Sequence, residues 1–169
     1  MDDLRPDSPK GKVITALRAT IRGIRLVILR LKLRKKFSYG ENVTFGPNSS
    51  LMVPEFIKLG SNFSVGRNFF VQTNVKCGND CLISSDVSFV GHDHHINEAG
   101  FNCYWSGRKA PSTITLEGDN FIGYRSTIIG NINVGKGSII AAGSVVIKDV
   151  PEESVVAGIP ARIVGKRKR

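Results

Sequence analysis

All three histidines, the side chains best suited to proton transfer near neutral pH, lie in one stretch: Gly91-His92-Asp93-His94-His95. Imidazole has a reference pKa of about 6.5, so it can take a proton from an attacking hydroxyl and return it to a leaving group. Asp93 or Glu98 is placed to orient such a ring, and a backbone carbonyl serves equally. Clustered histidines in a loop are also common as plain surface residues. As zinc ligands they would have to converge in space, which three residues of one loop do poorly, so no metal is expected. The three cysteines, Cys77, Cys81 and Cys103, form an odd set without a CxxC. A disulfide framework and a cysteine zinc site are therefore not expected, a reducing cytoplasm fits, and Cys77 and Cys81 read as packed thiols.

The elements that must hold this stretch show a period of six. Leu116, Ile122, Ile128, Val134, Ile140 and Val146 form one column, and Phe45, Leu51, Leu59, Val65, Val71, Cys77, Ile83 and Phe89 form an earlier one, with a two-residue slip near Pro54. A second column, four places on, holds Asn120, Ser126, Ile132, Ser138 and Ser144. No helix repeats every six residues, whereas three strand periods of two do. Each six is a short strand plus a turn, and stacked sixes share one aliphatic interior. Glycine, at 18 of 169 residues, suits so many turns. From Phe89 to Leu116 the interval is 27 residues, not a multiple of six. A loop, residues 93–113, therefore leaves the stack directly after the histidines. The fold class is an all-β solenoid of nearly five coils.

Charge divides the chain. The net charge is +10, but the body is mildly acidic, and the basic residues concentrate in Lys12–Lys36 and Arg162–Arg169, which contain no acid. This speaks against a nucleic-acid partner and for local electrostatic roles at the two ends. Asp7, Ser8 and Pro9 suit a helix entrance. Val13, Leu17, Ile21, Ile24, Ile28 and Leu31 recur at helical spacing as one stripe. Arg18, Arg22 and Arg25 lie on another face, onto which Leu26, Leu29 and Leu33 intrude. Such a helix suits an anionic membrane surface, or packing on the solenoid end as a cap or an oligomer contact. Charges interrupt it too often for a bilayer span. The expected domains are a basic amphipathic helix (1–36), the solenoid (37–150) and a basic tail (151–169).

The Leu/Ile/Val-Gly sixes, the histidine loop and the tail AAGSVVIKDVPEESVVAGIPARIVG together resemble the hexapeptide-repeat acyltransferases, most of all the sugar O-acetyltransferases. The resemblance covers about Gly40 to Gly165. It implies a left-handed parallel β-helix, against the usual right-handed crossover rule. It also implies a homotrimer, acetyl-CoA as donor in the groove between neighbouring prisms, and transfer to a sugar hydroxyl in cell-surface polysaccharide assembly. Amino or nucleotide sugars and serine are alternative acceptors; a zinc enzyme and a non-catalytic scaffold are further alternatives on this fold. The resemblance makes His92 the general base, with His94 in reserve. It places Gln72 and Asn74 opposite the base for the acceptor, although the simplest relatives have asparagine where Gln72 stands, and Asn74 also suits a turn. The pantetheine arm would pass Gly123, Tyr124, Ala141 and Ala142, whose small members equally suit tight turns. Lys148 and Arg162 match positions that meet the CoA phosphates. A second tail arginine of the family falls on Gly165, with Lys166 to Arg169 as replacements. In the loop, Phe101, Tyr104, Trp105, Arg108 and Lys109 suit a sugar face and phosphates, or a fold over a neighbouring subunit that buries Trp105.

Overall fold

The computed structural model describes residues 12–91, 93–95, 100 and 102–168, with the side chains of Lys12 and Val13 left out. The expected helix entrance at Asp7–Pro9, as well as His92, Glu98, Phe101 and Arg169, lies outside the described residues. The chain forms a left-handed parallel β-helix preceded by one helix, α1 (Lys12–Leu33).

Three sheets make the prism walls. The first stacks Phe37–Tyr39, Ile57–Leu59, Asn74–Cys77, Thr113–Leu116 and Ile132–Val134. The second stacks Thr44–Phe45, Ser64–Val65, Leu82–Ile83, Phe121–Ile122, Ile139–Ile140 and Ser154–Gly158, with Ala161–Lys166 added antiparallel at its end. The third stacks Ser50–Leu51, Phe70–Gln72, Ser88–Val90, Thr127–Ile129 and Val145–Val146. Every residue of the two aliphatic columns is buried, from Phe45 at 1% exposure to Val146 at 1%. The stack exceeds the expected nearly five coils. It begins at Phe37, and Ser154–Gly158 opens a sixth coil. Both strands lie outside the clean sixes, so period counting stops short of them.

Register explains the irregular intervals. Phe37 pairs with Ile57, 20 residues on, and Ile57 with Val75, 18 on. Val75 pairs with Ile114, 39 on, which is one coil of 18 plus 21 inserted residues. The turns carry a signal not used above. Asn42, Asn48, Asn62, Asn68, Asp80, Asp86 and Asp119 all have φ between 50° and 62°. Asn and Asp tolerate this left-handed conformation better than other side chains. They also stack: Asn42 donates to Asn62 (3.0 Å), which donates to Asp80 (2.7 Å).

Helix α1 settles which of its two apolar sets is buried. The intruding leucines are the buried ones, Leu29 and Leu33 each at 8% exposure, with Leu26 partly buried against the core. The regular stripe faces outward, with Leu17 at 59%, Ile28 at 57% and Leu31 at 70%. The helix caps the first coil with one face and leaves its more regular apolar face open. No described helix is long and apolar enough to cross a membrane.

Candidate active site

The inserted loop leaves the prism at the corner between the third and first sheets. Val90 ends its strand in register with Gln72 below and Ile129 above. Gly91 is buried and follows at once. A Cβ there would strike the Ser112 hydroxyl and lie 2.8 Å from Thr73 Oγ1. Thr73 Oγ1 in turn donates to the Ser112 carbonyl (2.5 Å) and pairs with its hydroxyl (2.8 Å). Exit and return of the loop are thus locked together through one glycine and two buried hydroxyls, a device the period of six does not reveal.

Beyond this lock the loop folds back on itself. His94 bridges Arg108 in antiparallel fashion, Lys109 N–H donates to the Asp93 carbonyl (2.8 Å), and His95 N–H donates to that of Gly107 (3.2 Å). Asp93 uses Oδ1 to accept the His94 N–H (2.8 Å). His94 is half-buried, and its Nδ1 is shielded from solvent with no hydrogen-bond partner among the described residues. At the far end, Tyr104 and Trp105 stand 79% and 72% exposed, stacked edge to face at 4.6 Å. Among the described residues no three His, Cys, Asp or Glu side chains are grouped to hold a metal ion.

The acceptor candidates separate. Gln72 is half-buried one coil below the strand that leads to His92, at the same corner. Asn74 is 2% exposed. Its Oδ1 accepts the N–H groups of Glu55 (3.0 Å) and Phe56 (3.2 Å), and its Nδ2 donates to Glu55 Oε2 (2.8 Å). Asn74 therefore holds the slip at Pro54, the turn role left open in the sequence.

Of the cofactor candidates, Gly123, Tyr124, Ala141 and Ala142 lie at a different corner, between the second and third sheets, whereas Lys148 follows Val145–Val146 at the corner between the third and first sheets and Arg162 lies on the antiparallel end strand. Gly123 is buried, and a Cβ there would sit 2.5 Å from Ala142 N and 2.8 Å from Ala141 C, so coil stacking alone requires glycine. Tyr124 and Ala142 face outward on successive coils, joined by a bond from Gly143 N–H to the Tyr124 carbonyl (2.7 Å). Ala141 is half-buried, and Lys148 and Arg162 are exposed, the latter donating to the Ala161 carbonyl (2.9 Å). In the tail, Arg167 is a structural clamp. Its guanidinium pairs with Asp119 (3.0 Å) and donates to the carbonyls of Asp119 (2.8 Å) and Gly137 (3.1 Å).

Strand Thr127–Ile129 lies between Tyr124 and the corner at Gly130, whose N–H donates to the Val90 carbonyl (2.9 Å). The three residues of that strand span roughly 10 Å at about 3.3 Å per residue, with the turn at Tyr124 and Arg125 before them. A single protomer therefore keeps the histidine corner and the Tyr124–Ala142 column apart.

Comparison with known proteins puts this geometry in context. No family model matches the chain. The galactoside O-acetyltransferase of Escherichia coli K12 is 34% identical over 131 residues, covering 72% of this chain and 62% of that protein. A maltose O-acetyltransferase structure from Clostridium difficile 630 superposes with a TM-score of 0.60 at 26% identity, over 81% of this chain and 73% of that one. The chain belongs to the hexapeptide-repeat acyltransferases. Within that family, a serine acetyltransferase of Bacillus licheniformis is 36% identical over 110 residues, 64% of this chain and 48% of that protein. A galactoside acetyltransferase in complex with coenzyme A shares the fold, with a TM-score of 0.70 at 24% identity over 96% of this chain and 86% of that one. The chain thus spans 62% of the Escherichia coli relative and 48% of the Bacillus one.

Proposed function

We propose that the chain is an acetyl-CoA-dependent O-acetyltransferase acting on a sugar hydroxyl, in the assembly of cell-surface polysaccharide. The observation that carries this reading is the placement of the histidine-bearing loop exit over Gln72, on a prism whose outer turns present Tyr124 and Ala142. His92 accepts the proton of the acceptor hydroxyl as its oxygen attacks the thioester carbonyl. The ester C–O bond forms, the C–S bond breaks, and the proton passes to the departing thiolate, with no covalent enzyme intermediate. Gln72 positions the acceptor, and His94 is the reserve base.

The donor fits the second corner. Tyr124 and Ala142 leave an open wall for a slender pantetheine arm, and exposed Lys148, at the next corner, and Arg162, on the end strand, supply cations for its phosphates. Since strand Thr127–Ile129 separates the two corners in one chain, a homotrimer that sets the histidine corner of one protomer against the turn column of the next completes the site. The exposed Tyr104–Trp105 pair suits that contact. In this reading the outward stripe of α1, flanked by Arg and Lys, rests on the anionic cytoplasmic face of the membrane.

Thiol release from acetyl-CoA with a panel of neutral sugars, amino sugars and serine tests the reading. Transfer to a sugar hydroxyl that falls at least a hundredfold in His92→Ala is expected. An undiminished His92→Ala rate removes that base, and transfer to serine or an amine alone changes the acceptor class. Sedimentation with anionic liposomes, for wild type and a Leu17→Asp/Ile28→Asp variant, tests the helix; equal binding by the two removes the membrane contact.

A further inference from the structure

Helix α1 leaves a row of six aliphatic side chains uncovered: Ile14, Leu17, Ile21, Ile24, Ile28 and Leu31, each between 39% and 70% exposed. Their spacing is a strict alternation of 3 and 4 residues. That alternation is the a/d pattern of a heptad, the seam along which two helices pack knobs into holes. Ile14, Ile21 and Ile28 take the a positions, and Leu17, Ile24 and Leu31 the d positions. Leu26, Leu29 and Leu33, the side chains packed on the prism, fall at f, b and f, on the far side of the helix. The prism therefore leaves the whole seam open. Uncovered apolar rows of this size mark an interaction surface. Each of these half-exposed side chains presents on the order of 100 Å², so two such rows brought together remove about 1,200 Å² from water, the lower end of a specific interface.

We propose that this row is the seam of a parallel coiled coil with α1 of a second copy of the chain, the state of α1 when no membrane covers it. Isoleucine at every a position, with leucine at two of the three d positions, suits two parallel strands. Charge selects the direction. Arg18, Arg25 and Lys32 occupy the e positions, and Thr20 and Val27 the g positions. In a parallel pair e meets g of the partner helix, so Arg25 lies opposite a threonine and Lys32 opposite a valine. An antiparallel pair sets e against e, where Arg18, Arg25 and Lys32 meet only cations. Helix α1 is already formed and docked through Leu29 and Leu33, so pairing requires no new helix nucleation. Neither the donor nor the histidine corner takes part, and the inference stands apart from the acetyltransferase reading. It uses the same six side chains as the membrane contact, so the two compete.

The experiment is disulfide trapping and sedimentation velocity on the full-length protein. Ile14→Cys, Ile24→Cys and Leu31→Cys are made singly in a Cys103→Ser chain, the remaining cysteines being buried. In a parallel seam each a or d residue meets its own counterpart, so all three should cross-link to themselves under mild oxidation, while Ala19→Cys, at an f position, should not. Wild type should show a concentration-dependent association step that Leu17→Asp/Ile28→Asp weakens at least a hundredfold, with an unchanged thermal melt. No self-cross-linking, equal trapping at Ala19→Cys, trapping only when Ile14→Cys and Leu31→Cys chains are mixed, or unchanged association in the folded double variant overturns the parallel pair. Vesicles of anionic phosphatidylglycerol should lower trapping at all three positions. Trapping that persists in full on vesicle-bound protein overturns the competition and removes this row from the membrane contact, leaving the acetyltransferase reading untouched.

Discussion

Replacing Gly91 with alanine tests whether the loop is aimed by the lock at its base. The new Cβ would overlap the Ser112 hydroxyl, lie 2.8 Å from Thr73 Oγ1 and 3.1 Å from Ser112 Cβ. The backbone itself does not resist, since Gly91 is not among the residues of positive φ. Relief requires Ser112 to rotate and give up its 2.8 Å hydroxyl pair with Thr73, in a site where Thr73 is 0% and Ser112 7% exposed. A stranded buried hydroxyl costs about 1–3 kcal/mol, and residual overpacking against Thr73 costs about as much again. A loss of roughly 2–6 kcal/mol lowers Tm by about 4–24 °C for a chain of this size. Acetyl transfer should fall more steeply than stability suggests, because a shift of about 1 Å at the base of the loop is worth about a hundredfold in rate. Ser112→Ala removes the overlapped oxygen, while Thr73 keeps its bond to the Ser112 carbonyl (2.5 Å). The double variant Gly91→Ala/Ser112→Ala should therefore recover part of the loss, with a coupling of about 1–2 kcal/mol in a thermal-melt cycle. An unchanged Tm and rate in Gly91→Ala, or strict additivity in the double variant, would refute the lock.

Asn74→Ala should destabilise by about 1–3 kcal/mol, because the N–H groups of Glu55 and Phe56 lose their acceptor; Gln72→Ala should change acceptor KM or kcat with little effect on the melt. Truncating Leu29 or Leu33 to alanine should cost about 2–3 kcal/mol in a urea titration, whereas Leu17→Ala and Ile28→Ala, on the open face, should stay within about 0.5 kcal/mol for the monomer. Under native conditions a thiol reagent should label Cys103, which is exposed, and spare Cys77 and Cys81, which are 5% and 1% exposed. Hydrogen bonding to Cys81 and then burial hold the Cys77 thiol well above its ordinary pKa, so raising the pH to about 9 should not release it before unfolding.

The sequence by itself determined the solenoid, its aliphatic interior and the position of the inserted loop. A side chain repeating every six residues has one place to go, and the 27-residue interval breaks that rule once. Composition located the basic ends, and the histidine stretch marked where the inserted loop leaves the stack. Facing was beyond it. In α1 both apolar sets satisfy helical spacing, and only packing into the core at the first coil selects Leu29 and Leu33 as the buried pair. Asn74 and Gly123 looked like site residues, because small and amide side chains suit ligands and turns alike. The chain slip at Pro54 and the stacking of Gly123 on Ala142 give both of them structural work. The distance between the histidine corner and the Tyr124 column is likewise tertiary. Strand Thr127–Ile129 holds them apart in one protomer because a prism wall is rigid and straight.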